Sequence, residues 1–237
     1  MRRIASLVAG VSLVLASTLS SLAVAQEATP LPPTSPRVTP WEADLGLRGS
    51  LVKSAGYAPF ATNDYLSSLS LAGSRVLLVR GRLALAVGAA WDYAGPSATT
   101  RGSDAGLTMH RLTAPITLRY GLLRPLDAFV RVAPGAAHES AHIDDPSAPG
   151  TLKAQAWVPA GDASAGVAWA FAVSTVGASG HPLVWRVTAE GGYGWTGSMS
   201  LAMSPDLQGA PTLTGPTNLG SLALSGGFGR LALATSF

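Results

Sequence analysis

The chain has 237 residues, of which 47% are hydrophobic and only 12% charged, with a formal net charge of +3. That charged share is about half the usual one, so much of the surface must face something other than water. The absence of cysteine excludes disulfides, thiolate metal sites, cysteine nucleophiles and a lipidated N-terminal cysteine. The absence of a basic stripe argues against a nucleic-acid partner.

Arg2 and Arg3 open a basic region, an apolar stretch runs from Ile4 to about Leu15, and Ala23 and Ala25 precede Gln26. Small residues at these two positions suit signal peptidase, so residues 1–25 read as a signal peptide and the chain as exported. Residues 26–40 are rich in Pro and Thr and read as a flexible periplasmic linker, because Pro removes backbone donors. No later run approaches the ~18 apolar residues of a membrane helix.

From Trp41 to Phe237 the dominant period is two, the signature of strands. In the first segment Trp41, Ala43, Leu45, Leu47 and Leu51 alternate with Glu42, Asp44, Arg48 and Ser50. The next shows Leu69 and Leu71 at odd positions but Val76 and Leu78 at even ones, which predicts a bulge near Gly73. In the third, Leu83, Leu85, Val87, Trp91 and Tyr93 oppose Arg82, Ala84, Ala86, Gly88 and Asp92. The fourth sets Leu112, Ile116, Leu118 and Tyr120 against Arg111, Thr117 and Arg119, and the fifth sets Val130 and Val132 against Arg131. The sixth sets Val167, Trp169, Phe171 and Val173 against Ser164, Gly166 and Ala168, and the seventh sets Trp185, Val187, Tyr193 and Trp195 against Arg186, Thr188 and Glu190. The last, around residues 219–237, slips phase at Gly226–Gly227. The fold class expected is all-β.

One face of every segment is bulky and apolar, the other small, polar or charged. A soluble sandwich would bury the first face, and a membrane barrel would turn it to lipid. The connections separate the two readings. Long and short ones alternate strictly, the long ones following Leu51, Tyr93, the fifth strand and the seventh. An up-and-down outer-membrane barrel has this pattern, with short periplasmic turns and long external loops. That topology places Trp41, Tyr120, Phe171, Trp185 and Phe237 at one interface and Trp91, Tyr93, Tyr193 and Trp195 at the other, as an aromatic belt requires.

With the signal peptide, eight alternating segments and a last strand carrying Leu231, Leu233 and Phe237, the chain resembles the small, eight-stranded bacterial outer-membrane β-barrel proteins. The resemblance is one of topology and covers residues 41 to 237. It implies an eight-stranded antiparallel up-and-down transmembrane barrel in the outer membrane of a Gram-negative envelope. It also implies that Leu231, Leu233 and Phe237 are read by the barrel-insertion machinery during assembly, with outer-membrane lipid as a second partner.

An eight-strand barrel has an interior just wide enough for its own side chains. Glu42, Asp44, Arg48, Arg82, Asp92, Arg111, Arg119, Arg131, Arg186 and Glu190 are expected there, paired into a network because a lone buried charge is costly. The stretch from His138 to Asp145 is the one that invites catalysis, with His138 beside Ser140 as a candidate activated nucleophile. Within a strand the two would share a face while Glu139 turns away, and no third member is fixed. No catalytic residue, metal or cofactor is therefore assigned. The expected role is structural or surface-facing through the external loops, with an external ligand or surface partner left unnamed. A narrow channel for small solutes, a lipid-modifying enzyme and a secreted β-sandwich binding protein are the alternatives.

Overall fold

The computed structural model describes residues 41–100, 103–144, 151–175, 182–205 and 217–237. The expected signal peptide (1–25) and linker (26–40) lie outside them. The strands are β1 (Trp41–Leu51), β2 (Tyr65–Arg80), β3 (Leu83–Ala94), β4 (Ser97–Thr100), β5 (Ser103–Thr113), β6 (Ile116–Leu123), β7 (Leu126–Asp144), β8 (Leu152–Thr175), β9 (Pro182–Thr196), β10 (Met199–Pro205), β11 (Thr217–Leu222) and β12 (Gly226–Ser236).

Eight staves close into a ring: β1, β2, β3, then β5 with β6 as one interrupted stave, then β7, β8, β9 and β12. All pairings are antiparallel, and β12 returns to β1 in register from Glu42↔Ser236 to Ser50↔Phe228. Trp41 and Phe237 finish the seam by exchanging backbone hydrogen bonds of 3.3 and 3.0 Å. Closure leaves the ring without an edge, which is what a sheet in hydrocarbon needs, since each unpaired backbone group there costs several kcal/mol. The chain is an all-β, up-and-down transmembrane barrel. At the short-turn end, Gly81 and Arg82 join β2 to β3 in two residues, and Gly81 takes the positive φ (+61°) that such a hairpin demands.

The two faces invert the order of a soluble protein. Leu47 is 69% exposed and Leu45 and Val130 are each 54% exposed, whereas Arg48 is 7% and Asp92 and Arg111 are each 4% exposed. Phe171, Trp41, Tyr120 and Phe237 are exposed on the short-turn side, and Tyr93, Tyr193 and Trp195 toward the other. Outward apolar residues and inward charged or small polar ones along the staves are the pattern of a strand that separates lipid from a polar interior.

Several boundaries differ from the sequence expectation. The bulge in β2 lies between Val76 and Leu78, not at Gly73, and it moves Leu78 to the outer face opposite Leu85. The slip at Gly226–Gly227 is no bulge. There β12 begins, while residues 217–222 form the separate strand β11, paired with β10. The third long connection shrinks, because β7 continues to Asp144 and β8 starts at Leu152. The fourth stave is interrupted at Ala114–Pro115, yet its ladder continues: the Ala114 amide donates to the Pro134 carbonyl, and the Gly88 amide to that of Pro115.

At the long-loop end the staves rise well above the band of exposed leucines and valines, and a second core fills the space between them. A 3₁₀ helix (Ala55–Phe60) and the β10–β11 hairpin turn inward over the barrel mouth. Val52, Tyr57, Phe60, Leu107, Met199, Leu201, Met203 and Leu222 are buried there almost completely. Gly56 permits the contact: a Cβ at that position would stand 2.3 Å from the Ser221 carbonyl oxygen. The Ala223 amide donates to the Ser54 hydroxyl (3.3 Å), the Leu224 amide to the Thr196 hydroxyl (2.7 Å) and the Tyr57 hydroxyl to the Tyr65 carbonyl (3.2 Å).

Candidate functional site

The candidate site is the interior, because that is where the chain concentrates its charge. The even positions of β1 carry Glu42, Asp44 and Arg48 inward, and the register of each neighbouring stave brings a complementary charge to the same level. Near the short-turn end Glu42 accepts hydrogen bonds from Arg119 and from Arg186 (3.1 Å), and Arg186 also donates to the Ser236 hydroxyl (2.9 Å). One level up, Arg230 bridges Asp44 and Glu190, the latter at 3.2 Å, and Arg131 reaches Glu190 at 3.1 Å. Higher still, Arg48 spans both oxygens of Asp162 at 3.0 and 3.1 Å. Arg111 completes that layer, bonding Asp92 through Nε (2.9 Å) and Asp162 through a terminal nitrogen (3.0 Å).

Nine of the ten interior residues named from the sequence thus meet an opposite charge: Glu42, Asp44, Arg48, Asp92, Arg111, Arg119, Arg131, Arg186 and Glu190. Arg82 does not. It sits exposed at the β2–β3 turn, where the two-residue hairpin turns it out of the barrel. Two central members were missed. Asp162 opens the sixth alternating segment and Arg230 lies in the last, but neither is among the charges named for the interior. The period of two would have reached both, since Asp162 continues the inward series Ser164 and Gly166, and Arg230 alternates with Leu231 and Leu233. Two aromatic rings also point inward and serve as platforms for arginine. The Arg48 guanidinium lies 3.6 Å from the ring centre of Phe228, and that of Arg131 lies 5.4 Å from the ring centre of Phe129.

Among the described residues, six arginines (48, 111, 119, 131, 186, 230) face five carboxylates (42, 44, 92, 162, 190). The charges nearly balance and each is committed to a partner. Between Arg48, Asp92, Arg111 and Asp162 the remaining cavity is about 20 Å³, room for roughly one water. The arrangement can hold the staves together. Among the described residues, that layer leaves no wider passage.

Above the ionic layers, β7 reverses its pattern. Val130 and Val132 face outward around inward Arg131, but from Ala137 upward the small apolar residues turn inward and His138, Ser140 and His142 turn outward. The spanning part of β7 therefore ends near Ala136. His138 is opposite His110 on one side and Trp157 on the other. Its ring packs against Trp157 at 5.2 Å, while His110 packs against Tyr93 at 5.2 Å and Trp91 at 6.0 Å. These rings form an outward row just above the apolar band. Ser140 lies one level higher, opposite Thr108 and Gln155. Among the described residues no carboxylate is hydrogen-bonded to His138, and no cluster of three His, Asp or Glu could hold a metal.

Glu139 points the other way, into the cap. It is fully buried, opposite Met109 and Ala156, with no cation paired to it among the described residues and the Thr196 hydroxyl as a polar neighbour. Burial pushes its carboxyl up to about 7, with hydrogen bonding from the Thr196 hydroxyl acting in the opposite direction. On the last strand Leu231, Leu233 and Phe237 lie exposed along the outer face, ending at the seam with Trp41.

No protein-family model matches the sequence, and no curated protein matches it. Among solved structures, the chain is similar to Ail, the attachment invasion locus protein of Yersinia pestis, in complex with the heparin analogue sucrose octasulfate. Identity is 12%, coverage 84% of this chain and 100% of that one, and the TM-score 0.46. It is similar to Neisserial surface protein A at 10% identity, covering 83% of this chain and 97% of that one, with a TM-score of 0.46. It is also similar to the N-terminal β-barrel domain of Pseudomonas aeruginosa OprF at 12% identity, with coverage of 83% and 97% and a TM-score of 0.34.

Proposed function

We propose that the chain is a bacterial outer-membrane barrel with a closed lumen, whose work is done by the folded cap and long-loop end on the external side. The observation that carries this reading is the filled interior: ion pairs occupy the spanning levels, and an apolar core occupies the mouth above them. A channel needs neither. A structural or surface-facing protein gains rigidity from both, because satisfied networks and packed cores hold one conformation. The exterior supports lipid as the surrounding medium, with exposed leucine and valine between two rows of aromatic rings. The short turns then lie on the periplasmic side.

Assembly is part of the same proposal. Leu231, Leu233 and Phe237 form an apolar series on the closing strand, and they are the residues offered to the barrel-insertion machinery. The experiment is fractionation of cells producing the wild type and Phe237→Ser, with gel mobility compared before and after boiling. The wild type is expected in the outer membrane as a heat-modifiable band, because a closed barrel keeps its backbone bonds satisfied internally. The variant is expected to lose most of that band and to collect in the periplasm. Recovery of the wild type as a soluble periplasmic protein would overturn the membrane reading. Equal folded fractions would remove Phe237 from assembly.

A further inference from the structure

One group inside the cap has no use in holding the barrel together. Glu139 sits at 0% exposure between Met109 and Ala156 in the apolar cluster, with the Thr196 hydroxyl as a polar neighbour and no cation paired to it among the described residues. A carboxylate in such a place would be strongly destabilised, while a protonated carboxyl would be tolerated. Among the described residues, the β10–β11 hairpin meets the barrel wall through two register pairs on β8 and through bonds at its stems, Gly197 to Pro159 and Leu224 to Thr196, and the 3₁₀ helix is held through Ser54, Gly56 and Tyr57.

We propose that the cap is a pH-sensitive closure: it remains in place while Glu139 is protonated and lifts with the 3₁₀ helix and the β10–β11 hairpin when Glu139 ionises. Lifting exposes the apolar side chains of Phe60, Leu201 and Met203, which the closed form buries. The closure deepens the surface-facing role proposed above, but its chemistry does not depend on that role.

Among the described residues, no other group facing Glu139 accounts for such a response. From β5 it meets Met109, with Arg111 below committed to Asp92 of β3 and Asp162 of β8. From β8 it meets Ala156, and from β9 Thr196, whose hydroxyl accepts the Leu224 amide and hydrogen-bonds the Glu139 carboxyl, a neutral group that does not titrate in this range. The cap contributes Met199, Leu201, Met203 and Leu222 from its hairpin, and Phe60 and Tyr57 from its helix; the Tyr57 hydroxyl is donated to Tyr65. His110, His138, His142 and Lys153 of the same sheet lie on its opposite, outward face.

The direction follows from proton counting. In the open form the carboxyl titrates near its ordinary 4.5, and in the closed form at about 7. Between these values the closed form binds the extra proton. Closure is fully favoured below 4.5 and loses ground as pH rises to 7, after which the cost is constant.

The absence of native cysteine gives a direct readout on the full chain folded in phospholipid vesicles. A single cysteine is placed at buried Leu201 or at exposed Ser200, and the ratio of the two labelling rates cancels the thiol's own titration. The ratio is expected to rise about tenfold from pH 6 to pH 8, and to stay flat in the same pair carrying Glu139→Gln. Heat-modifiable gel mobility verifies folding, and Glu139→Met serves if the glutamine variant does not fold. A flat ratio in the parent, or the same rise in the folded Glu139 variant, would overturn the proposal. Failure of the barrel to fractionate with the outer membrane would leave this ratio unchanged, so the two readings fail separately.

Discussion

Replacing Arg111 with methionine is expected to destabilise the folded barrel by about 3–5 kcal/mol. Arg111 is the only described partner that reaches both Asp92 and Asp162, and its side chain and that of Asp92 are each 5% exposed. Methionine fills much of the same volume, so the loss comes from charge and not from a cavity. Asp162 keeps Arg48, but Asp92 is left without its ion-pair partner in an interior where water is nearly excluded, and must either stay charged or take up a proton at a cost. The double variant Arg111→Met, Asp92→Leu removes the stranded charge as well and is expected to recover at least half of the loss, since replacing a whole buried pair is often close to neutral. Urea unfolding of vesicle-reconstituted protein, followed by tryptophan fluorescence, measures both. A single-variant loss below about 1 kcal/mol, the range of a hydrated surface pair, would mean that water reaches Asp92 and that the lumen is open.

The outer face carries the second large effect. Leu45→Arg is expected to cost about 2–4 kcal/mol, the penalty for a cation near the midplane of a barrel's lipid face. Leu45 lies midway along β1, between Trp41 at one rim and Leu51 at the other, and its neighbours across the ladder are Leu71 and Leu233. Nothing there can pair with a guanidinium. Leu45→Phe keeps the apolar contact with the surroundings and is expected to be nearly silent. The same unfolding measurement applies. Equal stability of the arginine and phenylalanine variants in vesicles would show that this face meets water.

The spanning part of the fold was legible in the sequence for a simple reason: one physical contrast, bulky apolar residues against small, polar or charged ones, runs along the staves. Glu42, Asp44 and Arg48 on β1, or Arg186 and Glu190 on β9, could be assigned to the interior by parity alone. Asp162 and Arg230 obey the same parity. Asp162 is the first residue of its expected segment and Arg230 comes just after the slip expected at Gly226–Gly227, the two places where parity has least sequence around it for support.

Above the membrane band the contrast changes sign. On β7 and β8 the outward positions become His138, Ser140, His142, Lys153 and Gln155, and the inward ones Ala137, Glu139, Ala141, Ala154 and Val158. A segment that alternates in the soluble sense, directly after one that alternates in the membrane sense, reads as a polar loop. The cap was illegible for a related reason. The apolar residues of the last long connection, Met199, Leu201 and Met203, alternate like a strand, but only the folded chain reveals that they meet Tyr57 and Phe60 from a connection about 140 residues earlier. The inward rings of Phe129 and Phe228 broke the aromatic-belt pattern, and their places become intelligible once Arg131 and Arg48 are seen over them.

The account stands on which face of each stave touches lipid. Carbene labelling tests that most directly: the unmodified protein is folded into a bilayer containing lipids that release a carbene in the acyl region on illumination, and modified residues are located by mass spectrometry. The account predicts labels with a period of two, on Leu45, Leu47, Val130, Leu231 and Leu233, and none on Arg48, Arg111, Ala232 or Ala234. Labels on the second set, or no periodic labelling along β1 and β12, would contradict it.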